Sequence, residues 1–323
     1  MPDYKVVHGT KVQNFASDPP APFTGQVWYN STSATAKYFF LDPGSWSTGV
    51  DLNTARQTAA SGTRGAALAF GGTAAPKNQT ELWNGTNWTE VNNLGSGRYS
   101  LGGVGTQTAS LAFGGRVDPP FTANTEIWNG TNWTEVNNLN TAKRALGGAG
   151  TTTAALAFGG TNPSTPQILN ETETWNGTNW TEVNNLNTAR RTVTGNGTNT
   201  ASLAFGGHSG TAIVTVTELY NGTNWTELND LNTAREEMGA SGTSTAALGI
   251  FGNGPDSYTT KTELWNGTNW TEVNDGSEAR WIASQGIGSQ TAAMATGGSD
   301  ASGNIASTEE WNVGPTTSTL GSE

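Results

Sequence analysis

The sequence predicts an all-β chain folded as a six-bladed β-propeller, and three observations predict this fold class. The motif "FGG" at Phe70-Gly71-Gly72 returns with Phe113, Phe158 and Phe205 and, in altered form, twice more, at intervals of 43 to 47 residues. Each unit is rich in Gly, Thr, Asn and aromatic residues and lacks a helical run of Leu, Glu and Lys. The hexapeptide "WNGTNW" occurs four times, with a fifth copy that begins at Tyr220. A period in the mid-forties with a strand-forming composition indicates propeller blades rather than helical repeats.

One unit, read from Arg98, divides at its turn signals into four short strands, which is the number in one propeller blade. The expected strands are strand a near Tyr99–Gly105, strand b at Ala109–Gly114, strand c at Thr125–Trp128 and strand d at Asn132–Val136. The Asn-Gly pair in "WNGTNW" is a strong hairpin signal, because a type I′ turn needs positive φ at both central residues. We therefore expect this hexapeptide to form the hairpin between strands c and d.

The last two units carry altered double-glycine motifs, which we align as Phe251-Gly252-Asn253 and Thr296-Gly297-Gly298. A stricter regularity is that each strand-d Trp precedes an Arg or Lys by ten residues. The pairs are Trp46 and Arg56, Trp88 and Arg98, Trp133 and Lys143, Trp180 and Arg190, Trp225 and Arg235, and Trp270 and Arg280. The first pair has no double glycine before it, and the last unit ends at Trp311 without a strand-d Trp. We expect Trp46–Val50 to supply that missing outer strand and to close a ring of six blades.

Four features of the unit together resemble the kelch repeat, whose fold is a β-propeller. They are an Arg that opens the unit, a double Gly that ends strand b, an aromatic residue in strand c and a Trp five or six residues later. The resemblance covers about residues 46–314. The units depart from the kelch pattern at Gly252-Asn253, Thr296 and Tyr220, and in a strand b that is rich in Ala. The resemblance implies a kelch-type propeller closed by its N-terminal outer strand.

Composition and charge exclude several classes of protein. The chain has 323 residues and a formal net charge of −11. It contains no Cys, which excludes disulfides and thiolate metal sites. Scattered Lys and Arg in an acidic chain argue against a nucleic-acid partner, because phosphate binding needs a basic stripe. No apolar run of 18 residues occurs, so we expect no membrane insertion. No motif indicates a metal site or a cofactor.

The cation that opens every unit is expected to be an architectural tie between neighbouring blades rather than an anion binder. The six cations are Arg56, Arg98, Lys143, Arg190, Arg235 and Arg280. Glu residues also recur on strands c and d, as at Glu81 and Glu90. We interpret them as a solvated strand face rather than as acid–base pairs, because they are present in five units.

Binding is expected on the face that carries the connections between strands b and c. These loops vary from 7 residues (73–79) to 11 residues (161–171) and differ in content in every unit, whereas the c–d turn is nearly invariant. Variable loops on a rigid scaffold commonly carry recognition. The candidate binding residues on this face are Arg116, Asp118, His208, Asp256, Tyr258 and Trp281.

The sequence does not favour an enzyme. A kelch-type copper oxidase would need Cys, Tyr and His ligands, and this chain has no Cys and only His8 and His208. No nucleophile–base constellation and no phosphate-binding Gly loop are found. A carbohydrate-active enzyme that uses Asp118, Asp256 and Asp300 is the weakest of the three readings that we consider.

Residues 1–45 stand apart from the repeats and are expected to form an arm with a hairpin that serves as an anchor or oligomerisation segment. Prolines at 19, 20 and 22 suggest an extended lead, and "GQVWYN" and "KYFFL" flank a polar loop as two strands would. Phe23, Trp28 and Tyr29 are the anchor candidates. The alternative is that this hairpin is an extra outer strand pair on the last blade. Residues 46–314 then form the propeller and residues 315–323 a C-terminal tail.

A Pro-rich lead followed by "TGQVWYN", eight polar residues and an aromatic strand resembles segments of tailed-phage fibre proteins, especially marine ones. Units that end in "LAFGG" are also similar to phage-encoded proteins. The resemblance implies a non-enzymatic virion structural protein, present in multiple copies or as a homo-oligomer. Residues 1–45 would contact other virion proteins, and the propeller would serve assembly or bind a host-surface glycan or receptor. The alternative is a cytoplasmic kelch module that binds a cellular protein.

Overall fold

A computed structural model describes residues 12–20, 26–41, 43–163, 167–282 and 287–319, and the described residues form strands and no helix. The strands of the N-terminal part are β1 (Gln13–Phe15), β2 (Val27–Asn30), β3 (Thr35–Leu41) and β4 (Ser45–Thr48). They are followed by β5 (Ala59–Thr63), β6 (Ala66–Phe70), β7 (Thr80–Trp83), β8 (Trp88–Val91), β9 (Gly102–Thr106), β10 (Ala109–Phe113), β11 (Thr125–Trp128), β12 (Trp133–Val136), β13 (Gly147–Gly150), β14 (Ala155–Phe158), β15 (Thr172–Trp175) and β16 (Trp180–Val183). The remaining strands are β17 (Thr194–Thr198), β18 (Ala201–Phe205), β19 (Thr217–Tyr220), β20 (Trp225–Glu227), β21 (Gly239–Thr243), β22 (Ala246–Ile250), β23 (Thr262–Trp265), β24 (Trp270–Glu272), β25 (Ile287–Gly288), β26 (Ala292–Thr296), β27 (Ser299–Asp300), β28 (Gly303–Asn304), β29 (Thr308–Asn312) and β30 (Pro315–Thr319).

The chain divides into two compact units, residues 45–312 and residues 1–44 with 313–323. In the larger unit β5 to β24 form five four-stranded antiparallel sheets in chain order, and β25, β26, β29 and β4 form a sixth. The first strand of each sheet lies beside the first strand of the next, and β25 lies beside both β21 and β5. We refer to the strands of a sheet as a to d in this order. Repeated antiparallel four-stranded sheets are consistent with a β-propeller.

The predicted strands agree with this arrangement. Strand c of the second sheet has the predicted bounds, and the other three strands differ from the predicted bounds by one to three residues. The segment that begins at Trp46 pairs with the last strand of the unit, so that Trp46 lies opposite Trp311. The ten-residue spacing between Trp46 and Arg56 therefore identified a strand that is remote in sequence from its sheet.

Hydrogen bonds between main-chain groups join each sheet to the next. The second glycine of the double-glycine motif donates its N–H to the carbonyl of the cation that opens the following unit, at 2.8 to 3.0 Å. The bonds run from Gly72 to Arg98, Gly115 to Lys143, Gly160 to Arg190, Gly207 to Arg235, Gly252 to Arg280 and Gly298 to Arg56. The last of these bonds joins the sixth sheet to the first. The expected tie between units is thus made by the main chain of the cation, whereas its side chain bonds within its own unit, as Arg190 does with Gly206 and Glu218.

Aromatic rings fill the space between sheets. The Phe that ends strand b contacts the strand-d Trp of the next sheet, with ring centroids 4.7 to 5.2 Å apart in Phe70–Trp133, Phe113–Trp180, Phe158–Trp225 and Phe205–Trp270. Glycines on strand a leave room for these rings: a Cβ on Gly103 would lie 2.6 Å from Phe70, and one on Gly148 would lie 2.7 Å from Phe113. The many glycines of strand a are therefore a packing requirement.

The fifth sheet differs from the predicted alignment by one residue. Ile250, not Phe251, ends strand b and lies opposite Thr262. Phe251 takes the place of the first glycine, has φ of 51°, and contacts Trp46 with ring centroids 4.9 Å apart. The alignment of Phe251-Gly252-Asn253 with the double-glycine motif is therefore wrong, because a Phe occupies a backbone conformation that the other sheets give to glycine.

The six tie cations are buried, and each pairs with the Glu on strand c of its own sheet. Arg190 lies 2.8 Å from Glu218 and Arg235 lies 2.7 Å from Glu263, and all four side chains are fully buried. The prediction that strand-c Glu residues form a solvated face is wrong, because this side of strand c faces the cation. The strand-d Glu residues, such as Glu227, are exposed as predicted.

The smaller unit contains one sheet in the order β1, β2, β3, β30. The predicted hairpin is present as β2 and β3, and it belongs to this sheet and not to the sixth sheet of the larger unit. The alternative of an extra strand pair on the last blade is therefore wrong. Asp18 organises the unit by accepting hydrogen bonds from Trp28, Asn30 and Lys37, and the bond from Lys37 is the largest cause that lowers the pKa of Asp18 to about 2. The pairing of β30 with β3 was not expected from the sequence.

Candidate functional site

The variable b–c loops and the residues that follow the tie cations lie at the same end of the sheets. Isolated antiparallel bridges join Tyr99 to Arg116, Arg191 to His208, and Trp281 to Ser299. In each pair the first residue follows a tie cation and the second lies in the b–c loop of the same unit. We call this end of the larger unit the loop face. The bridges fix the position of each loop relative to the start of strand a.

A shallow depression lies on the loop face where the first strands of five sheets begin. Its lining includes Ser100, Ala145, Thr192, Glu237 and Ile282, one from each of five successive units, and its volume is about 40 Å³. Since a single water occupies about 10–15 Å³, the depression has room for only a few waters or one small group, and Leu101, Leu146, Val193 and Met238 make part of its lining apolar. A whole sugar ring does not fit inside it.

The rim of this depression is built from strained backbone held by hydrogen bonds. Ser100, Ala145, Thr192 and Glu237 have φ of 50° to 55°, which is uncommon for residues with a side chain. The N–H of Ala145 donates to Ser100, that of Thr192 to Ala145, that of Glu237 to Thr192, and that of Ile282 to Glu237. Each bond joins one unit to the next, and their lengths are 2.7 to 3.3 Å. The bonds offset the backbone strain and keep the rim rigid.

Glu237 places a carboxyl group in this depression. Burial and then the Glu236 carboxylate raise the pKa of Glu237 to about 8, while Arg191 and Arg144 act in the opposite direction. Oε2 of Glu237 is buried without a hydrogen-bond partner. The neighbouring Glu236 is held by the Thr192 hydroxyl, which donates to Oε2 at 2.7 Å. Glu237 is therefore a carboxyl group that the fold does not use.

Two guanidinium groups adjoin the depression. Arg144 and Arg191 immediately precede Ala145 and Thr192 on the rim. Burial lowers the pKa of Arg144, and the positive charges of Arg116 and Arg191 lower it further. The Arg144 guanidinium lies over the Phe121 ring at 5.0 Å, and its Nε is buried without a hydrogen-bond partner. This side of the rim thus carries concentrated positive charge in a chain that is acidic as a whole.

Asp118, by contrast, is fully engaged. It pairs with Lys77 and with Arg116 and accepts a hydrogen bond from the Tyr99 hydroxyl at 3.1 Å. Lys77 and Arg116 also lie over the Tyr99 ring, with the Lys77 ammonium 5.0 Å and the Arg116 guanidinium 5.8 Å from its centroid. Two of the predicted binding residues, Arg116 and Asp118, are therefore brought together, and they neutralise each other.

The other predicted binding residues lie further round the loop face. Tyr258 and Trp281 stack with an interplanar angle of 29° and centroids 5.8 Å apart, and both are half-buried. His208 accepts the N–H of Gly210 at Nδ1, at 2.8 Å. Asp256 is exposed at the tip of its loop. The predicted binding residues thus do not form one site. Arg116 and Asp118 form an ion pair, and Tyr258 and Trp281 stack on each other. His208 bonds within its own loop, and Asp256 is exposed.

The anchor candidates lie in the smaller unit. Trp28 is fully buried, so its side chain supports its own sheet, and Tyr29 is 37% exposed. Phe23 lies outside the described residues. Of the two described candidates, Tyr29 is the one whose side chain a partner could contact.

Sequence reasoning missed Arg144, Arg191, Glu236 and Glu237. The signal that could have found Arg144, Arg191 and Glu236 is the position directly after the tie cation, and Glu237 lies one residue further on. The occupants of that position are Gln57, Tyr99, Arg144, Arg191, Glu236 and Trp281. A position that takes five residue types in six units, beside one that is almost constant, indicates a surface that the fold leaves free.

A second cavity of about 130 Å³ lies between the first strands of all six sheets and is lined mostly by Gly, Ala and Ser. The amide nitrogen of Asn196 donates to the carbonyl of Ser241 at 2.7 Å, and its Oδ1 is buried without a partner.

The residues that the structure describes contain no group of three or more His, Asp or Glu side chains arranged to hold a metal. They also contain no helix of the length and apolarity that a membrane crossing requires.

The sequence matches no protein-family model, and it matches no curated protein. The repeat structure and the loop face are therefore the features of the molecule that bear on its function. The carboxylates considered for catalysis do not assemble into a shared centre in the described contacts: Asp118 is paired with cations, and Asp300 accepts the N–H groups of Ser302 and Gly303 in its own turn.

Proposed function

We propose that this chain is a non-enzymatic structural protein of a tailed-phage virion that displays a closed, six-bladed, kelch-type propeller for assembly or for binding a host-surface glycan or receptor. Residues 1–45 contact other virion proteins, and the chain is present in multiple copies. The closed ring is supported by the pairing of Trp46 with Trp311 and by the bond from Gly298 to Arg56. The kelch and phage assignments rest on the resemblance of the repeat units and of residues 1–45.

The binding role is supported by a contrast between two sets of charged groups. Those that recur inside the repeat units are paired with each other, and Glu237 and Arg144 on the loop face are not. The residues that recur in every unit include a cation and a Glu that form a buried pair, as in Arg190–Glu218. On the loop face, the Glu237 carboxyl and the Arg144 guanidinium form no ion pair and no side-chain hydrogen bond among the described residues, although single buried atoms without partners also occur in tie cations such as Arg235. Groups that cost stability and are not used by the fold favour a recognition surface, because natural proteins retain such groups mainly at functional sites.

A cryo-EM reconstruction of the particle that contains this chain tests the proposal. The expected result is that residues 1–45 lie against another virion protein while the b–c loops point away from the particle. If no particle contains the chain, and the purified chain instead captures a cellular protein on its loop face, the role is that of a cellular kelch interaction module. Turnover of a saccharide by the purified chain would overturn the non-enzymatic assignment.

A further inference from the structure

The third sheet departs from the repeat pattern at two positions whose side chains meet. Lys143 is the one Lys among the six tie cations, and the other five are Arg. Glu171 stands directly before strand c, at a position that the other units give to Gln79, Asn124, Val216, Lys261 and Ser307. Nζ of Lys143 lies 3.8 Å from Oε2 of Glu171 and 2.8 Å from Oε1 of Glu173, the strand-c Glu of the same sheet. The unit whose tie cation is an amine is therefore also the unit with a Glu at this second position.

The Lys143 ammonium is buried against a carboxylate without being hydrogen-bonded to it. The side chain of Lys143 is fully buried, and that of Glu173 is 1% exposed. Among the described residues, Nζ of Lys143 and Oε1 of Glu173 each lack a hydrogen-bond partner, although the two atoms are in contact. Arg190 in the next unit, by contrast, donates to two main-chain carbonyls as well as to Glu218. A Lys has no planar fork with which to reproduce those bonds.

The carboxyl group of Glu173 is held in a way that favours attack on its carbon. Its Oε2 accepts the main-chain N–H of Asn140 at 2.8 Å and a side-chain N–H of the same residue at 2.9 Å. Two donors aimed at one oxygen polarise the C–O bond and stabilise negative charge on that oxygen when the carbon becomes tetrahedral. Glu218 and Glu263 accept similar pairs of bonds, but their cation is a guanidinium, which does not lose its proton and cannot act as a nucleophile.

Glu171 is placed to carry protons away from the amine. Its side chain is 29% exposed, so its carboxylate connects the buried amine with solvent. Its Oε2 is 3.8 Å from Nζ, a distance that one water or a small rotation of the side chain bridges. Burial disfavours the charged forms of an amine and a carboxyl group, and proton transfer between them removes both charges. The three side chains thus provide a nucleophile, an electrophilic carboxyl carbon and a general base.

We infer that Lys143 and Glu173 condense to an intramolecular amide bond, with Glu171 as the proton carrier. Glu171 transfers two of the three ammonium protons, one after the other, from Nζ to Oε1 of Glu173. Nζ forms a bond with Cδ, and the Cδ–Oε1 bond then breaks with its electron pair on Oε1, which leaves as water. Oε2 carries the negative charge of the tetrahedral intermediate on the Asn140 donors and becomes the amide oxygen. The products are one amide and one water, and no oxidant, reductant or other reactant takes part.

The folded chain favours this condensation for two reasons. Well-oriented groups within one molecule react with effective molarities of about 10⁵–10⁸ M. The amide also replaces two buried charges, and full burial keeps water away from the new bond. The pair of Lys261 and Glu272 is as close, at 2.7 Å, but it is exposed and is not expected to react. The inference concerns the interior of one sheet and is independent of the proposed function.

Mass spectrometry of the full-length chain tests the inference. The purified chain is expected to be lighter than its sequence by the mass of one water. After cleavage at Lys and Arg, a branched species is expected that joins residues 117–144 to residues 145–190, with fragments that place the missing water between Lys143 and Glu173. A chain that has the full mass of its sequence would overturn the inference, and so would fragments that place the missing water elsewhere.

Three variants separate the amide from other losses of water. Lys143→Arg installs the cation of the other five units, so it is expected to fold and to have the full mass of its sequence. Glu171→Gln keeps the side-chain size and removes the proton carrier, so the cross-linked mass should appear at least about tenfold more slowly after cell-free synthesis. Lys261→Arg, at the exposed pair, is the control and should cross-link at the natural rate.

Two results with these variants would contradict the inference in distinguishable ways. A missing water that persists in Lys143→Arg would show that another residue is dehydrated and would overturn the amide. An unchanged rate in Glu171→Gln would overturn the role of Glu171 as proton carrier and leave the amide between Lys143 and Glu173 in place.

Discussion

The ring of Phe251 occupies the space that Gly276 leaves open at the end of the fifth sheet. In all five of the other sheets a glycine with positive φ faces a Leu that follows strand d, as Gly206 faces Leu231. In the fifth sheet the two residue types are exchanged, and a Cβ on Gly276 would overlap the Phe251 ring. The exchange preserves the filled volume, and it explains why a Phe is accepted in a left-handed backbone conformation.

This relationship predicts a strong coupling between the two positions. Gly276→Leu should lower the free energy of unfolding by about 1–3 kcal/mol, because the new side chain overlaps a buried ring. Phe251→Gly should lower it by about 3 kcal/mol or more through loss of the ring. The double variant restores the arrangement of the other sheets and should be more stable than the sum of the two changes predicts by at least about 1 kcal/mol. Urea denaturation of the four proteins measures the coupling, and additive effects would contradict it.

The buried pair of Arg190 and Glu218 should be strongly asymmetric in its response to substitution. Both side chains are fully buried, and burial is the largest cause that lowers the pKa of Arg190. Glu218→Ala leaves an unpaired buried charge and should cost about 3–5 kcal/mol, whereas replacing both residues by apolar ones should cost much less. Glu227 lies opposite Glu218 on strand d, and its side chain is exposed. Glu227→Gln therefore serves as the control, with an expected change in the free energy of unfolding below about 0.5 kcal/mol. A cost for Glu218→Ala as small as that of the control would show that the buried pair does not contribute to stability.

The features that sequence could predict are those fixed within one unit. The Asn-Gly hairpin and the Trp-to-cation spacing depend on neighbouring residues, so the strands and the pairing of the Trp46 segment could be predicted. The position of Phe251 could not be predicted, because the sequence alone does not show that a residue other than glycine accepts positive φ where Gly276 leaves room for its side chain. Glu81 was read as solvated because its buried partner Arg56 lies 25 residues away.

The candidate site was the least predictable part, for a different reason. Arg144, Arg191 and Glu237 come from three units, and they meet only because the first strands of the sheets converge. The sequence singled out the loops, where Arg116 and Asp118 prove to be paired with each other. A site assembled from one residue per repeat depends on the tertiary arrangement, and no single unit contains its pattern.

Glu237 should make stability depend on pH in a direction opposite to that of an ordinary salt-bridged carboxylate. The folded chain holds the proton of the Glu237 carboxyl more tightly than the unfolded chain does, because folding raises the pKa of that carboxyl from 4.5 to about 8. Its contribution to stability is therefore fully present below pH 4.5 and is lost as the pH rises to about 8. Glu237→Gln cannot ionise, so the variant should gain stability relative to the natural chain by on the order of 1–2 kcal/mol between pH 5 and pH 9.

Urea denaturation of both proteins at these two pH values measures that difference. Glu227→Gln, which removes an exposed carboxylate, is the matched control and should show no such change with pH. A difference between Glu237→Gln and the natural chain that is the same at both pH values would show that Glu237 is ionised in the folded chain throughout.

Trp46 should contribute to the stability of the sixth sheet far more than its position near the N-terminal region suggests. Its ring centroid lies 4.9 Å from that of Phe251 and 5.4 Å from that of Trp311, and its indole N–H donates to the Thr262 hydroxyl at 2.9 Å. Trp46→Ala removes these contacts and should lower the free energy of unfolding by about 2–4 kcal/mol. Because strand β4 is the outer strand of this sheet, its loosening should also expose the main chain of β29, and amide hydrogen exchange in β29 should accelerate. Val50→Ala, at a side chain that is 48% exposed just after the same strand, should change neither quantity measurably. Unchanged exchange in β29 after Trp46→Ala would mean that the sheet holds together without its N-terminal strand, and the proposed closure of the ring would then contribute nothing to stability.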